Sequence, residues 1–138
     1  MNYPENCIRG IPHPTLVYSN GMVSTTLFHC TPECDRGDGW MEQSVNWQDD
    51  GSVIEFTLAQ KKGDGTLQFT GGVVILPREE IDRLNNQPTV KNLLSYERQR
   101  IDGNPFHGNI LIRADTPKPI LRMLAAALAV AVAKVIRP

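Results

Sequence analysis

Between Arg122 and Lys134 the chain runs through eleven residues without a charge, MLAAALAVAVA, within the longer segment PILRMLAAALAVAVAKVIRP. This run constrains the fold more than any other feature. It falls well short of the ~20 apolar residues that cross a bilayer, and its many alanines insert weakly. It is also too apolar to stand alone in water, so it predicts a helix packed on the rest of the chain. Thr116 suits an N-cap with Pro117 in the first turn, and leaves room for a helix to about Ile136. At ~100° per residue, Ile120, Leu121, Leu124, Leu128, Val132 and Val135 fall within an arc of roughly 120°, the side expected to lie on a sheet. Lys118, Arg122, Ala125, Ala129 and Arg137 fall on the opposing side. Small side chains let helix axes approach to within ~8 Å, so this alanine-lined side is the candidate contact with another protein or a second copy of the chain.

With 138 residues, 41% hydrophobic and 21% charged, the chain suits one domain, 1–138, with its own core. A domain of this size buries roughly two thirds of its unfolded surface, so neither a metal nor a disulfide is required to hold it. Fourteen basic against fifteen acidic side chains leave no global field to draw it to nucleic acid or an anionic membrane. Tyr3, Trp40, Trp47 and Phe106 are scattered without interleaved bases, and no nucleic-acid binding is expected of them. The first ten residues, MNYPENCIRG, lack the basic-then-apolar run of a signal peptide. Three cysteines, Cys7, Cys30 and Cys34, therefore read as free thiols in a reducing cytoplasm.

Turn signals divide the remainder, with no repeat, linker or low-complexity segment. The first twenty residues are turn-rich, through Pro4, Gly10, Pro12 and Pro14 and then SNG at 19–21. MVSTTLFHC (22–30) carries β-branched and aromatic residues and predicts a strand; SVNW (44–47) is a further short segment. After a turn at Asp49–Gly51, Ile54, Phe56 and Leu58 alternate with Glu55 and Thr57, the period of a half-buried strand over 52–60. KKGDG (61–65) supplies the positive φ of a hairpin turn. TLQFTGGVVIL (66–76) then continues as a strand that bends at Gly71–Gly72 and becomes apolar on both faces. These two strands are expected to form the central hairpin. LPREEIDRLN predicts a short helix, with Pro77 at its start, acids in its first turn and Ile81 and Leu84 inward. TVKNLLSYE predicts a second, capped by Thr89, and FHGNILIRA (106–114) returns to strand. The expected fold is α+β: a mainly antiparallel, twisted sheet of five or six strands, one or two short helices in the middle, and the long C-terminal helix across one face.

Two stretches contain residues with chemical potential. FHCTPECDRGDGW (28–40) holds His29, Cys30 and Cys34. Tetrahedral zinc needs four ligands, usually from two closely spaced pairs. Cys30 and Cys34 supply one pair, and a completing ligand would have to come from Cys7, His13 or His107. In a strand His29 and Cys30 also point to opposite faces. The preferred reading is a turn-rich loop, with no metal and no cofactor expected. The acid-rich turns lack the ligand spacing of a calcium loop.

SYERQRIDGNPFHGN (95–109) is the more polar cluster. His107 suits a general base oriented by Glu97 or Asp102. Arg98 and Arg100 share a face in an extended chain and could clamp a phosphate or carboxylate. With Tyr96, Asn104 and Asn109 they form the candidate ligand-binding set. Asn104–Pro105 favours a turn, and Gly108 allows close backbone approach. The nucleophile elbow, phosphate loop, dinucleotide fingerprint and zinc-protease motif are absent. The expectation is therefore a small cytoplasmic, non-enzymatic interaction or assembly component, whose partner through the C-terminal helix is another protein or a second copy of the chain. The alternative is a small enzyme or ligand-binding domain around His107, Arg98 and Arg100.

Overall fold

Residues 3–138 are described by a computed structural model. In chain order its elements are β1 (Asn6–Ile11), β2 (Trp40–Trp47), α1 (Ser52–Leu58), β3 (Gly72–Pro77), α2 (Arg78–Asn85), β4 (Leu94–Arg98), β5 (His107–Arg113), α3 (Lys118–Ala131) and β6 (Lys134–Ile136), with 3-10 turns at Pro14–Leu16, Thr25–Phe28 and Pro32–Cys34. The six strands make one sheet in the order β4-β5-β2-β1-β3-β6, antiparallel at every pairing. This is the α+β architecture expected, with six strands and the C-terminal helix on one face.

The sheet carries a core on each side. On the α3 side, Cys7, Ile11, Met41, Val45, Trp47, Val74, Leu76, Ile110 and Ile112 meet Leu27, Phe28, Ile81, Leu124 and Leu128. On the other side Ile8 and Val73 pack on Val53 of α1, with Ile54, Leu58, Phe106 and Ile136 around them. Central strand β1 is thus covered on both faces, and its neighbours Cys7 and Ile8 are both fully buried.

Several local expectations give way to tertiary structure. The turn-rich first twenty residues contain β1, a central strand. Residues 22–30 form no strand: Ser24 accepts a hydrogen bond from the Thr26 N–H at 3.2 Å and opens the 3-10 turn Thr25–Phe28, which buries Leu27 and Phe28. The expected central hairpin does not form either. Residues 52–58 are helix α1, whose buried residues Val53 and Thr57 stand four apart. A seven-residue run fits both periods, and the Ser52 N–H donating to Asp50 Oδ1 at 2.8 Å adds a helix-start bond. The turn at 61–65 does form, closed by Lys62 N to Thr66 O at 2.8 Å, but it joins only a single bridge, Lys61 to Leu67. The bend at Gly71–Gly72 is present, with Gly72 at φ 96°, and β3 begins there.

α2 matches the predicted short helix, whereas the second one at 89–97 is absent. Asn92 turns the chain with φ 66°, the Asn85 carboxamide accepts from the Leu94 N–H at 3.0 Å, and β4 follows. Thr116 is not the N-cap of α3: its hydroxyl donates to the Arg113 carbonyl at 2.7 Å, and Pro117 holds the cap position. The helix also stops at Ala131. Ala133 N–H donates to the Ile75 carbonyl at 2.9 Å, and 134–136 extends the sheet as β6. The buried stripe of α3 is Leu124, Ala125, Leu128 and Ala129, so the two alanines assigned to the outer side face inward. Their small size lets α3 settle onto the buried Thr25–Phe28 turn.

Trp47 explains why Gly108 is a glycine. The fully buried indole donates from Nε1 to the Glu97 carbonyl at 2.9 Å, crossing the backbone of β5 on its way to β4. A Cβ at Gly108 would overlap both the indole nitrogen and that carbonyl. Gly108→Ala should lower the urea-unfolding free energy by about 2–3 kcal/mol through overpacking and loss of this hydrogen bond. Gly63→Ala, where a Cβ meets open space, should change it by less than about 0.5 kcal/mol. Equal effects would refute this account.

Candidate functional site

The polar residues of 95–109 divide between the two faces of the sheet, because neighbours along a strand alternate. Tyr96 and Arg98 lie on the α3 side. Arg98 makes a two-pronged contact with the Asp49 carboxylate at 3.0 and 2.5 Å. The Tyr96 hydroxyl donates to Asp82 at 2.9 Å, and its ring stacks edge-on with Tyr3 and Trp47 at 5.0 and 5.6 Å. Glu97, His107 and Asn109 lie on the opposite side. Arg100 and Asp102 are exposed. The structure therefore does not gather the six proposed ligand-binding residues into one site.

Those on the α1 side tie the fold together. Asn104 Nδ2 donates to Asn46 Oδ1 at 2.8 Å, and the Asn46 amide donates in turn to Thr57 and Gln60 at 2.8 and 2.9 Å. The 99–107 loop is thus linked through β2 to α1. His107 Nδ1 lies 2.9 Å from the Gln99 carbonyl; a carbonyl only accepts, so Nδ1 carries the hydrogen. His107 lines a cavity of about 250 Å³ with Ile8, Asn46, Gln60, Phe69 and Asn104. Neither Glu97 nor Asp102 orients it. Glu97 instead accepts from Arg36 and from the Asn109 amide. Arg36 also bonds Asp38 at 2.6 Å and lies 3.5 Å from Glu42, pinning the 35–38 turn across the open side of β2, β5 and β4. Its bond to Arg36 is the main reason the Asp38 carboxyl is held below the usual range.

The larger cavity lies elsewhere. A cleft of about 490 Å³ opens between the 29–35 loop and the start of α3, lined by His29, Cys30, Thr31, Met41, Lys118 and Arg122 among others. Of the two nearby thiols Cys30 lines this cleft, while Cys34 lies beside it, between the lining residues Pro32 and Asp35. Cys30 is 5% exposed and receives a hydrogen bond from Gln43 Nε2 at 3.1 Å; the same amide donates to the Phe28 carbonyl at 2.5 Å. The buried Gln43 Oε1 has no partner among the described residues. Cys34, half-buried at the end of the Pro32–Cys34 turn, packs on the same cluster, and, after burial, its nearness is one of the smaller causes that raise the Cys30 pKa.

Arg9 completes this surrounding. β1 pairs with β2 only at Cys7 and Ile8; beyond them the Arg9 side chain reaches the Ser44 carbonyl at 2.6 Å and the Leu27 carbonyl at 2.8 Å. Its guanidinium lies 5.8 Å from the Phe28 ring centroid. Among the described residues no carboxylate pairs with it. Burial lowers its pKa, while the neighbouring Cys30, Cys34 and Cys7 act in the opposite sense. Arg9, Gln43, Met41 and Lys118 were not singled out from sequence, and no spacing signal links them. Their convergence depends on β1, β2 and α3 meeting in space.

The cysteines and His107 lie on opposite sides of the sheet, so they form no Cys-His pair. Among the described residues no group of three or more His, Cys, Asp or Glu side chains is placed to hold a metal ion. No helix among the described residues is long and apolar enough to cross a membrane. Comparison with family models, curated proteins and solved structures finds no match to this chain.

Burial pushes the Cys7 thiol from 9.0 to about 12 and the Cys30 thiol to about 11, the latter opposed by the Gln43 N–H. Below pH 9 the folded and unfolded chains both keep these protons, and stability is level. Above pH 9 only the folded state keeps them, so stability falls with rising pH until the folded values are reached. Between pH 9 and 11, wild-type protein should lose on the order of 2–3 kcal/mol more than Cys7→Ala. Parallel slopes in urea unfolding across this window would contradict the assignment.

Proposed function

We propose that this protein is a small cytoplasmic, non-enzymatic assembly component that works by binding protein, and that its contact surface is the outward stripe of α3 meeting a second copy. One observation carries the reading: Val130 is 72% exposed and Met123 41% exposed, on either side of the half-buried Ala126 and Ala127. Residues 123, 126, 127 and 130 follow the spacing of one helix face. Larger apolar side chains at the ends and alanines in the middle suit an antiparallel two-fold crossing. The alanines allow close approach, while Met123 of each copy packs near Val130 of the other. A groove of about 450 Å³ beside this stripe, between α2 and α3, is lined by Leu84, Gln87, Ala127 and Val130 among others, and would take the partner's side chains. The free state of all three cysteines supports a reducing compartment.

A small enzyme or ligand-binding domain around His107, Arg98 and Arg100 has less support, since Arg98 is held by Asp49 across the sheet from His107. Light scattering after size exclusion tests the favoured reading. It should give a concentration-dependent dimer. Met123→Glu with Val130→Glu should return a monomer with unchanged circular dichroism, both sites being exposed. A wild-type protein that stays monomeric throughout would overturn self-association.

A further inference from the structure

We propose that Cys30 and Cys34 form a reversible dithiol–disulfide site, and that its oxidant is an anionic low-molecular-weight disulfide received in the adjoining cleft. The two thiols stand four residues apart, Cys34 ending the 3-10 turn Pro32–Cys34 and Cys30 two residues before it, and both touch the same core cluster. Their exposures differ: Cys34 is half-buried, whereas Cys30, although it lines the cleft, is only 5% exposed. The cleft alongside exposes Lys118 and Arg122 with one carboxylate, Asp35. That balance favours a carboxylate-bearing molecule, and the volume of about 490 Å³ admits one of tripeptide size. Two donors face the buried sulfur's surroundings. Gln43 Nε2 lies 3.1 Å from Cys30 Sγ, and the Arg9 guanidinium has no carboxylate partner among the described residues. Gln43 Oε1 is buried without a partner among the described residues, while Gln43 Nε2 faces both the Phe28 carbonyl and the Cys30 sulfur.

The chemistry is ordinary exchange. Cys34 loses its proton and its sulfur attacks one sulfur of the disulfide RSSR. The S–S bond breaks, Cys34–S–S–R forms, and the first RSH leaves with the proton. The Cys30 sulfur then attacks Cys34 Sγ. The S–S bond between Cys34 Sγ and the sulfur carried by R breaks, the Cys30–Cys34 disulfide forms, and the departing thiolate RS⁻ takes the Cys30 proton as a second RSH. Two protein thiols are oxidised and one disulfide is reduced to two thiols. The Gln43 N–H, 3.1 Å from Cys30 Sγ, offsets part of the cost of the negative charge that develops on this buried sulfur as it attacks.

Full-length protein is incubated with mixtures of reduced and oxidised glutathione, quenched in acid, alkylated and weighed intact, then mapped by peptide. Wild type should lose two alkylatable thiols together: it should carry a single alkyl group, on Cys7, and weigh about 2 Da less than a singly alkylated reduced chain because of the 30–34 link. Cys30→Ser should stop as a mixed disulfide on Cys34. Charge reversal at the exposed Lys118 and Arg122 (K118E with R122E) should slow adduct formation on Cys34 by about tenfold with oxidised glutathione, and leave the rate with uncharged hydroxyethyl disulfide unchanged. Wild type that accumulates the mixed adduct, forms only links between chains, or stays reduced in fully oxidised glutathione would overturn the site. Equal slowing with both disulfides, or none with either, would overturn the cleft's role.

Discussion

The Trp47 indole is the contact on which most of this architecture depends. It is fully buried on the α3 side, opposite Cys7 of β1. Its N–H crosses the bare backbone of Gly108 to reach β4. A single side chain thereby sets the packing of four neighbouring strands, and Tyr3 and Tyr96 close around it. Burying a polar indole nitrogen costs free energy unless it finds an acceptor. The Glu97 carbonyl is that acceptor, so β4 must lie where it does and residue 108 must have no side chain.

From this arrangement follows the separation of the chain's polar groups. Asn46 and His107 face α1, whereas Arg9, Gln43, Cys30 and Cys34 face α3. The first set is consumed by links among β2, α1 and the 99–107 loop. The second is incomplete as a structural network: Gln43 has a free buried oxygen and Arg9 has no counter-charge among the described residues. Buried polar groups are normally matched; Asn109 Oδ1 on the α1 side also lacks a partner among the described residues, so it is the cleft beside Cys30, and not the mismatch alone, that directs interest to the thiol pair. The outward stripe of α3 is a separate surface, on the far side of the helix from its buried residues.

Some elements were legible from local sequence. Pro77, the acids after it and the spacing of Ile81 and Leu84 marked α2. The strand signal of FHGNILIRA (106–114) marked β5, and the charge-free segment after Arg122 marked α3. Each has either a strong start signal or enough length for its period to be counted. The misread elements lacked both. β1 places buried residues at consecutive positions because both its faces are covered, which erases the alternation of a half-buried strand. Residues 52–58 are too short to separate a two-residue period from a helical one. The β-branched end of α3 left the helix for the edge of β3, a pairing that local sequence does not reveal.

The candidate site shows the same division. Composition and spacing by themselves determined an α+β chain with a packed C-terminal helix, free thiols at 30 and 34, and a polar cluster at 95–109. Only the tertiary structure decided which of these meet. It split the polar cluster across the sheet, turned Ala125 and Ala129 inward, and brought Arg9 and Gln43 to the cysteines. The reason is physical: the face on which a strand residue lies depends on pairing register, and register is set by contacts between segments distant in the chain. Local sequence carries the propensity of each segment, but the burial of Trp47 and the two-sided cover of β1 select among the registers those propensities allow.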